Sequence, residues 1–332
     1  MTNSINFSDH ILRVSIVVPV FQGELTLDDL IEEIVPLTAP SMTPAKNRFQ
    51  VIEVILVNDG ALDGSSDVIL GLAKRYPFVR PIWLSRNFGQ HPATLAGMVS
   101  TVGDWIVTLD EDGQHDPAFV GPMLDQALEH GAQLVYPKPE NVAPHAWWRN
   151  LASKFANGLG RKLLGDRSAG GFSSFRLIQG EIARSLAAFC GPGVFLDIAL
   201  SWVVGRVSFC HIVLRNERGR SSGYSLRKLM AHLWRLIMTA GTLPLRIIAL
   251  TGCLTILISI VITIYLLWGK YAHQVPIQGW TSLMIAISLF SGLILFSIGV
   301  IAEYLGMLLI MALGKPLYLT VTGPKPKDKD AL

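Results

Sequence analysis

Short apolar runs alternate with helical patterns in the first half of the chain. Residues 14–20 and 51–57 are nearly continuous runs rich in β-branched residues, which is typical of strands covered on both faces in a parallel sheet. Between them, four apolar residues recur at helical spacing: Leu27, Leu30, Ile31 and Ile34. The same patterns predict strands at 80–84 and 105–109 and helices at 65–72 and 92–99. This alternation predicts an α/β domain, doubly wound around a mostly parallel sheet.

The last hundred residues have a different pattern. Residues 243–268 and 280–313 are long and almost uncharged, and each exceeds the roughly 20 residues that span a bilayer. Residues 224–242 combine apolar positions at helical spacing with basic residues, which indicates an amphipathic helix in the membrane interface; packing against the soluble domain is the alternative. The chain therefore divides into a soluble domain (1–223), an interfacial helix (224–242), a two-helix transmembrane hairpin (243–313) and a tail (314–332).

Composition and charge narrow the class of protein. Half of the 332 residues are apolar, 16% are charged, and the mean hydropathy is +0.42, which is too apolar for an ordinary soluble protein. The net charge of +3 is too small and dispersed for a nucleic-acid-binding surface. Basic residues flank the predicted hairpin on both sides, whereas the connector 269–279 holds only Lys270. By the positive-inside rule, the soluble domain and both termini face the cytoplasm, on a multi-pass protein of the cytoplasmic membrane.

Polar residues are concentrated in the loops that follow the predicted strands, where α/β sheets bind their ligands. Asp110 and Asp112 follow the strand at 105–109 and stand one residue apart. Two such carboxylates can share a divalent cation, and hard oxygen ligands suit Mg²⁺ or Mn²⁺. An isolated Asp-x-Asp is more often a turn. Four consecutive polar strand-end loops favour the metal site here.

The ordered loop sequences resemble those of the A-type inverting nucleotide-sugar glycosyltransferases. The motifs are VVPVFQGE at 17–24, VNDGALDG at 57–64, SRNFG at 85–89 and LDEDGQ at 109–114. More narrowly, the chain is similar to the polyprenyl-phosphate glycosyltransferases, which include dolichyl-phosphate mannose synthase and the undecaprenyl-phosphate sugar transferases. The similarity continues after the soluble domain, in RNERGRSSGYS at 215–225, IAEYLG at 301–306 and KPLY at 315–318. One departure is Asn58, which stands where that family usually has an acid.

The resemblance implies roles for particular residues. The nucleotide sugar would be bound by seven residues of the strand-end loops: Pro19, Phe21, Glu24, Asn58, Asp59, Asn87 and Gln114. Asp110 and Asp112 would hold the Mg²⁺ or Mn²⁺ ion and serve catalysis. Asp197 would orient the acceptor or the sugar, or act as a base, with a helix cap as the alternative. Arg149 and Arg176 match positions where the family places arginines for phosphates, so they would bind the acceptor phosphate. Arg215, Arg218 and Arg220 form a second basic loop that would close over the acceptor phosphate or the donor, with a face for anionic lipid as the alternative.

The predicted reaction moves a sugar from a nucleotide diphosphate sugar, expected to be UDP-linked, to undecaprenyl or another polyprenyl phosphate. A lipid monophosphate is largely ionised at neutral pH, so no strong general base is required. The product would serve cell-envelope glycan or lipid modification. Two alternatives are a processive polysaccharide synthase and a non-catalytic membrane-anchored nucleotide-binding protein. Glu303, inside the second predicted span, is costly if it faces lipid, so we expect it to face a helix partner, either within the hairpin or in an oligomer. The protein is expected to form a homo-oligomer.

Overall fold

The computed structural model describes residues 11–140, 173–191, 195–215 and 279–324, together with single helical positions between 245 and 268. The chain forms two compact units. The first comprises Met1–Tyr224 together with Pro316–Leu332, and the second comprises Ser225–Lys315.

A mixed sheet forms the centre of the first unit, with nine strands among the described residues. Its strands are β1 (Leu12–Val20), β2 (Ser41–Met42), β3 (Arg48–Asn58), β4 (Val79–Leu84), β5 (Trp105–Thr108), β6 (Leu134–Pro139), β7 (Arg176–Gln179), β8 (Val207–Ile212) and β9 (Thr320–Val321). The order is β8-β6-β7-β5-β1-β3-β4-β9, with β2 paired to β3. β5, β1, β3 and β4 are mutually parallel, whereas β7 and β9 run antiparallel to their neighbours. The α/β prediction is confirmed, with more antiparallel pairing than the pattern indicated.

Helices cover both faces of the sheet. They are α1 (Leu27–Ile34), α2 (Ser65–Arg75), α3 (Gln90–Val99), α4 (Val120–His130), α5 (Gly180–Phe189) and α6 (Leu196–Val203). Successive residues of a strand enter opposite cores, since Ile16 and Val18 pack with α1, α2 and α4, and Val17 packs with α3, α5 and α6. The continuous apolar runs of β1 and β3 therefore have a structural reason: both faces are buried.

Gly97 allows α3 to lie close against the parallel strands. A Cβ atom at this position would stand 2.3 Å from Cγ1 of Val17 and 3.0 Å from Cγ2 of Val57. The first distance is too short for any real contact and would force the surrounding atoms to shift, and the second is tighter than ordinary van der Waals contact. α3 begins at Gln90, directly after the loop that follows β4.

The second unit contains a long apolar helix, α7 (Trp280–Ala312), of 33 residues. Its segment Phe290–Ala312 is long and apolar enough to span a membrane, and no other helix among the described residues is. Glu303 is exposed within this unit. That it faces a partner helix stays a prediction. The first predicted span is helical at the positions described, but most of it lies outside the described residues, as does the whole interfacial helix 224–242. The hairpin and its orientation therefore remain predictions.

After α7 the chain contributes a further strand to the first unit. β9 pairs antiparallel with β4, with Val321 opposite Trp83 and Thr320 opposite Leu84. The backbone N–H of Ser85 donates to the carbonyl of Leu319 at 2.8 Å. The segment predicted as a tail thus includes an edge strand of the sheet.

Candidate active site

The loops after β1 and β3 are joined by side-chain to backbone hydrogen bonds. Glu24 accepts from the N–H of Gly64 at 2.8 Å, and the hydroxyl of Ser65 accepts from the N–H of Gly23 at 2.8 Å. The Ser65 hydroxyl in turn donates to Asp63 at 2.5 Å. Glu24 was predicted to bind the nucleotide sugar, and in the structure its carboxylate holds the two loops together.

Asn58 and Asp59, at the end of β3, are buried and hydrogen-bonded to the loops around them. Asn58 accepts from the N–H of Ala61 at 3.1 Å and donates to the hydroxyl of Ser66 at 3.1 Å. Asp59 accepts from the N–H of Phe88 at 2.7 Å and of Gly89 at 2.8 Å. Burial raises the pKa of Asp59, and these two N–H donors oppose that rise. Both side chains shape the loops, and their contact with a nucleotide stays a prediction.

The turn after Asp59 requires glycine. Gly60 has φ +67°, and a Cβ there would stand 2.6 Å from the backbone nitrogen of Asn87. The side chain of Asn87 is itself exposed, as its predicted contact with the donor requires. Pro19 is buried within β1, and Phe21 is half-buried just beyond it.

Glu111, which the sequence pattern did not single out, joins the loop after β1 to the loop after β5. Its two carboxylate oxygens accept from the N–H groups of Phe21 and Gln22, each at 2.9 Å. Burial raises the pKa of Glu111 to about 7, although both N–H donors oppose the rise. The sequence shows Glu111 only as a third acid between two aspartates. Its role could not be predicted, because the N–H groups that it binds lie about ninety positions away.

Asp110 is held at both oxygens by neutral donors. The amide of Gln90 donates to Oδ1 at 2.5 Å, and the hydroxyl of Ser174 donates to Oδ2. Asp112 accepts from the backbone N–H of Gln114 at 3.0 Å and thereby forms a tight turn. Burial raises the pKa of Asp110, and the neighbouring Asp112 carboxylate adds to the rise. An acidic pair of this kind favours a bound cation, which would stabilise both carboxylates in the charged form.

His115 lies beside this acidic pair and was also missed. Its ring packs against Phe175 with centroids 5.1 Å apart, and its Nδ1 is buried without a hydrogen-bond partner among the described residues. Burial lowers the pKa of His115, while Asp110 and Asp112 oppose the shift. The net shift favours the neutral imidazole, which packs against Phe175.

Asp197 forms a buried ion pair with Arg176. The guanidinium donates from Nε to Oδ1 at 2.6 Å and from Nη2 to Oδ2 at 2.8 Å. Tyr136 donates its hydroxyl to the same carboxylate at 2.8 Å. The alternative that Asp197 caps a helix is wrong, because α6 begins at Leu196 with Phe195 at its N-cap and no side chain caps it.

The remaining guanidinium nitrogen of Arg176 points back toward the acidic loop. Its Nη1 donates to the hydroxyl of Thr108 at 3.3 Å and to the carbonyl of Ser174 at 3.2 Å. The side chain of Arg176 is only 4% exposed. The structure thus brings Arg176 together with Asp197 and the Asp110 loop rather than with an open surface, and its role as a phosphate ligand stays a prediction.

Arg215 is also paired with acids. Its guanidinium contacts Glu33 at 2.7 Å and Asp116 at 2.6 Å, and its backbone N–H donates to the carbonyl of Gln114 at 3.1 Å. The other predicted phosphate ligands, Arg149, Arg218 and Arg220, lie outside the described residues. Of the two described arginines, Arg176 is paired with Asp197, and Arg215 lies against the loop that carries Asp112.

The raised pKa of Glu111 predicts a pH dependence of stability. Between about pH 4.5 and 7 the unfolded chain releases this proton while the folded protein retains it, so the free energy of unfolding falls as pH rises. The full effect is about 3 kcal/mol, because one pKa unit corresponds to about 1.4 kcal/mol. We expect Glu111→Gln to flatten this decline in cation-free protein, at a cost of about 1 kcal/mol for one lost hydrogen bond.

Thermal unfolding followed by intrinsic fluorescence between pH 4.5 and 8 measures this effect. Glu129→Gln, which makes the same change at an exposed position, is the matched control. Equal pH slopes in the Glu111 and Glu129 variants would contradict the assignment.

The chain matches a known protein family. Residues 15–186 match the glycosyl transferase family 2 profile, which is more than half of the chain, so the protein belongs to this family of glycosyltransferases. Its activity class is sugar transfer, and the inverting mechanism fits this family.

Two relatives match over nearly the whole chain. A bactoprenol glucosyl transferase of Shigella phage SfX is 26% identical over 309 residues, covering 93% of this chain and 98% of the relative. An undecaprenyl-phosphate 4-deoxy-4-formamido-L-arabinose transferase of Serratia proteamaculans is 27% identical over 322 residues, covering 95% and 96%.

Among solved structures, the fold is similar to glucosyl-3-phosphoglycerate synthase from Mycobacterium tuberculosis, solved with Mn²⁺, UDP and glucosyl-3-phosphoglycerate. The TM-score is 0.50 at 18% identity, over 69% of this chain and 78% of the other. The likeness supports the A-type glycosyltransferase fold.

Proposed function

We propose that this protein transfers a sugar from a nucleotide diphosphate sugar, UDP-linked, to undecaprenyl or another polyprenyl phosphate. The extent of the sequence match carries the proposal. A soluble sugar transferase would share only the domain at residues 15–186, whereas the relatives named for bactoprenol and undecaprenyl phosphate match 93% or more of the chain, including its apolar C-terminal third. An acceptor dissolved in the membrane accounts for that shared third.

In the proposed reaction, an oxygen of the acceptor phosphate attacks the anomeric carbon of the sugar. The bond between that carbon and the β-phosphate oxygen breaks, UDP leaves, and the product is a lipid-linked sugar monophosphate. The acceptor oxygen is largely ionised at neutral pH, because the second pKa of a phosphate monoester is near 6. No side chain has to remove a proton from it, which suits a site whose Asp197 is committed to Arg176.

The chemistry of the loop residues fits a divalent cation held by Asp110 and Asp112. A carboxylate oxygen has more than one lone pair, so the donors Gln90 and Ser174 leave room for a metal on Asp110. Both donors are neutral, so neither of them neutralises a charge on the Asp110 carboxylate. When bound, Mg²⁺ or Mn²⁺ would stabilise the charge that develops on the leaving diphosphate.

The other residues of the site have positioning roles in this proposal. Gln90 and Ser174 orient Asp110, and Gln114 is held by Asp112 where it can contact the metal or donor. Asp197 acts through Arg176, which contacts the carbonyl of Ser174. We propose that the acceptor phosphate is bound by the arginines predicted from the sequence: Arg149, Arg176, Arg215, Arg218 and Arg220.

The proposal places the enzyme at the cytoplasmic membrane. The apolar span Phe290–Ala312 supports membrane attachment. We propose that it is multi-pass, with the catalytic unit and both termini in the cytoplasm, and that it forms a homo-oligomer in which Glu303 faces a neighbouring helix.

The function is tested by incubating membranes that contain the full-length protein with undecaprenyl phosphate and a panel of sugar-labelled UDP-sugars. Parallel samples contain Mg²⁺, Mn²⁺ or a chelator, and membranes lacking the protein are the control. We expect one sugar to enter the organic extract only with a divalent cation, with an equal amount of UDP released. Release of UMP would indicate sugar-phosphate transfer, and label confined to a water-soluble polymer would indicate a polysaccharide synthase; either result would overturn the proposal.

A further inference from the structure

β9 lies on the open edge of β4, next to the point where β4 runs into a loop of the candidate active site. The last bond of the pair joins the N–H of Ser85 to the carbonyl of Leu319 at 2.8 Å. Ser85 is the first residue after β4, which ends at Leu84. The strand after the membrane helix therefore fixes the residue at which this loop begins.

The same loop, residues 85–89, leads directly into Gln90, whose side chain contacts Asp110. The N–H groups of Phe88 and Gly89 are fixed by Asp59 at 2.7 and 2.8 Å. Gly89 then caps α3, whose first residue, Gln90, donates to Oδ1 of Asp110 at 2.5 Å. Ser85 and Gln90 are five positions apart, so the loop is anchored by β9 at one end and contacts Asp110 at the other.

The side chains of β9 bury little surface against the rest of the unit. Thr320 and Val321 are exposed, with Val321 at 42%. Just before the strand, Leu317 and Tyr318 are half-buried against the core cluster that contains Leu84 and Leu95. What β9 itself supplies is backbone pairing, which fixes the edge of β4 at its carboxyl end.

We infer that β9 is a positioning strand for the metal site: by holding Ser85 it fixes the loop 85–89, and through Gln90 it sets the orientation of the Asp110 carboxylate. The metal role of Asp110 rests on the proposed function, whereas the fixing of the loop does not. The orientation of Asp110 thus depends on a segment that follows the membrane helix in the chain.

The register of β9 provides a matched pair of variants. Bonded and non-bonded pairs alternate in an antiparallel ladder. Because Ser85 and Leu319 form a bonded pair, Leu84 and Thr320 do not, and Trp83 and Val321 form the next bonded pair. Proline at 321 therefore removes a ladder donor, whereas proline at 320 removes an N–H that points away from β4. Val321→Ala retains the donor and controls for the lost side chain.

The test uses the full-length protein in detergent. Hydrogen exchange measures the opening of residues 85–89, and a titration followed by the electron paramagnetic resonance signal of free Mn²⁺, with UDP present, measures cation affinity. We expect Val321→Pro to raise exchange in 85–89 and the Kd for Mn²⁺ by about five-fold, since one hydrogen bond is lost. Thr320→Pro and Val321→Ala should stay within two-fold of the parent.

A global loss of stability does not produce this pattern, because exchange in β1 and β3 would then rise as well. Equal exchange in 85–89 for the two proline variants would overturn the inference, as would faster exchange with an unchanged Mn²⁺ affinity. If the parent binds no Mn²⁺, the metal assignment fails, whereas the exchange comparison still decides whether β9 fixes the loop.

Discussion

Replacement of Asp112 by asparagine is expected to lower sugar transfer by about 100-fold or more, a loss typical of removing a principal charge-stabilising group. The variant loses an anionic ligand of the predicted metal site. Its fold should persist, because the amide oxygen of asparagine can still accept the hydrogen bond that the N–H of Gln114 donates to Asp112. Initial rates with the labelled donor and undecaprenyl phosphate, together with Tm, measure both effects.

Asp28→Asn is the matched control for this prediction, since it makes the same chemical change at an exposed position of α1. The control should keep the parental rate and Tm. If Asp112→Asn transfers sugar within a few-fold of the parent, Asp112 does not carry the charge that the reaction requires. A Tm lowered by many degrees would instead assign Asp112 a structural role.

The second large effect is expected at the buried pair of Asp197 and Arg176. Asp197→Ala would leave the guanidinium of Arg176 without its carboxylate and the hydroxyl of Tyr136 without an acceptor. Removing one member of a buried ion pair typically costs about 3 to 5 kcal/mol. We therefore expect this variant to lose a large part of its stability, measured by thermal or urea unfolding.

A combined variant separates structure from catalysis at this site. Replacing the polar groups together, as Arg176→Met with Asp197→Leu and Tyr136→Phe, removes both charges and the hydroxyl at once. Such apolar replacements are often neutral or stabilising, so most of the lost stability should return. If transfer stays low in a variant that is stable again, the pair serves the reaction. If Asp197→Ala costs less than about 1 kcal/mol, the pair does not contribute as its geometry indicates.

Much of the fold could be predicted because it rests on local patterns. The β-branched runs became β1 and β3, and the helical spacing between them became α1, whose four apolar residues are all buried. β7 and β9 could not be predicted in the same way, since each is short and its place in the sheet depends on pairing with a distant strand.

In the candidate site, too, local patterns could be predicted from the sequence, whereas contacts between distant residues could not. Asp110 and Asp112 could be proposed from the sequence, because their spacing and their position after a strand suit a divalent cation. Glu111 and Ser174 were missed, because their roles arise from partners about 90 and 64 positions away. Arg176 illustrates the converse: the sequence gives its charge, whereas only the structure shows that Asp197 accepts from it.

The place of β9 in the chain also bears on how the protein is made. β9 follows α7, so a ribosome completes the apolar helix before it synthesises the strand that finishes the sheet. Until then β4 is an edge strand with unpaired backbone groups, a feature that promotes association between chains. A soluble version cut before Ser225 would keep that edge permanently, whereas one that links Tyr224 to Pro316 would retain β9. For crystallisation of the first unit alone, the second unit, Ser225–Lys315, is therefore better replaced by a short linker than removed together with everything that follows it.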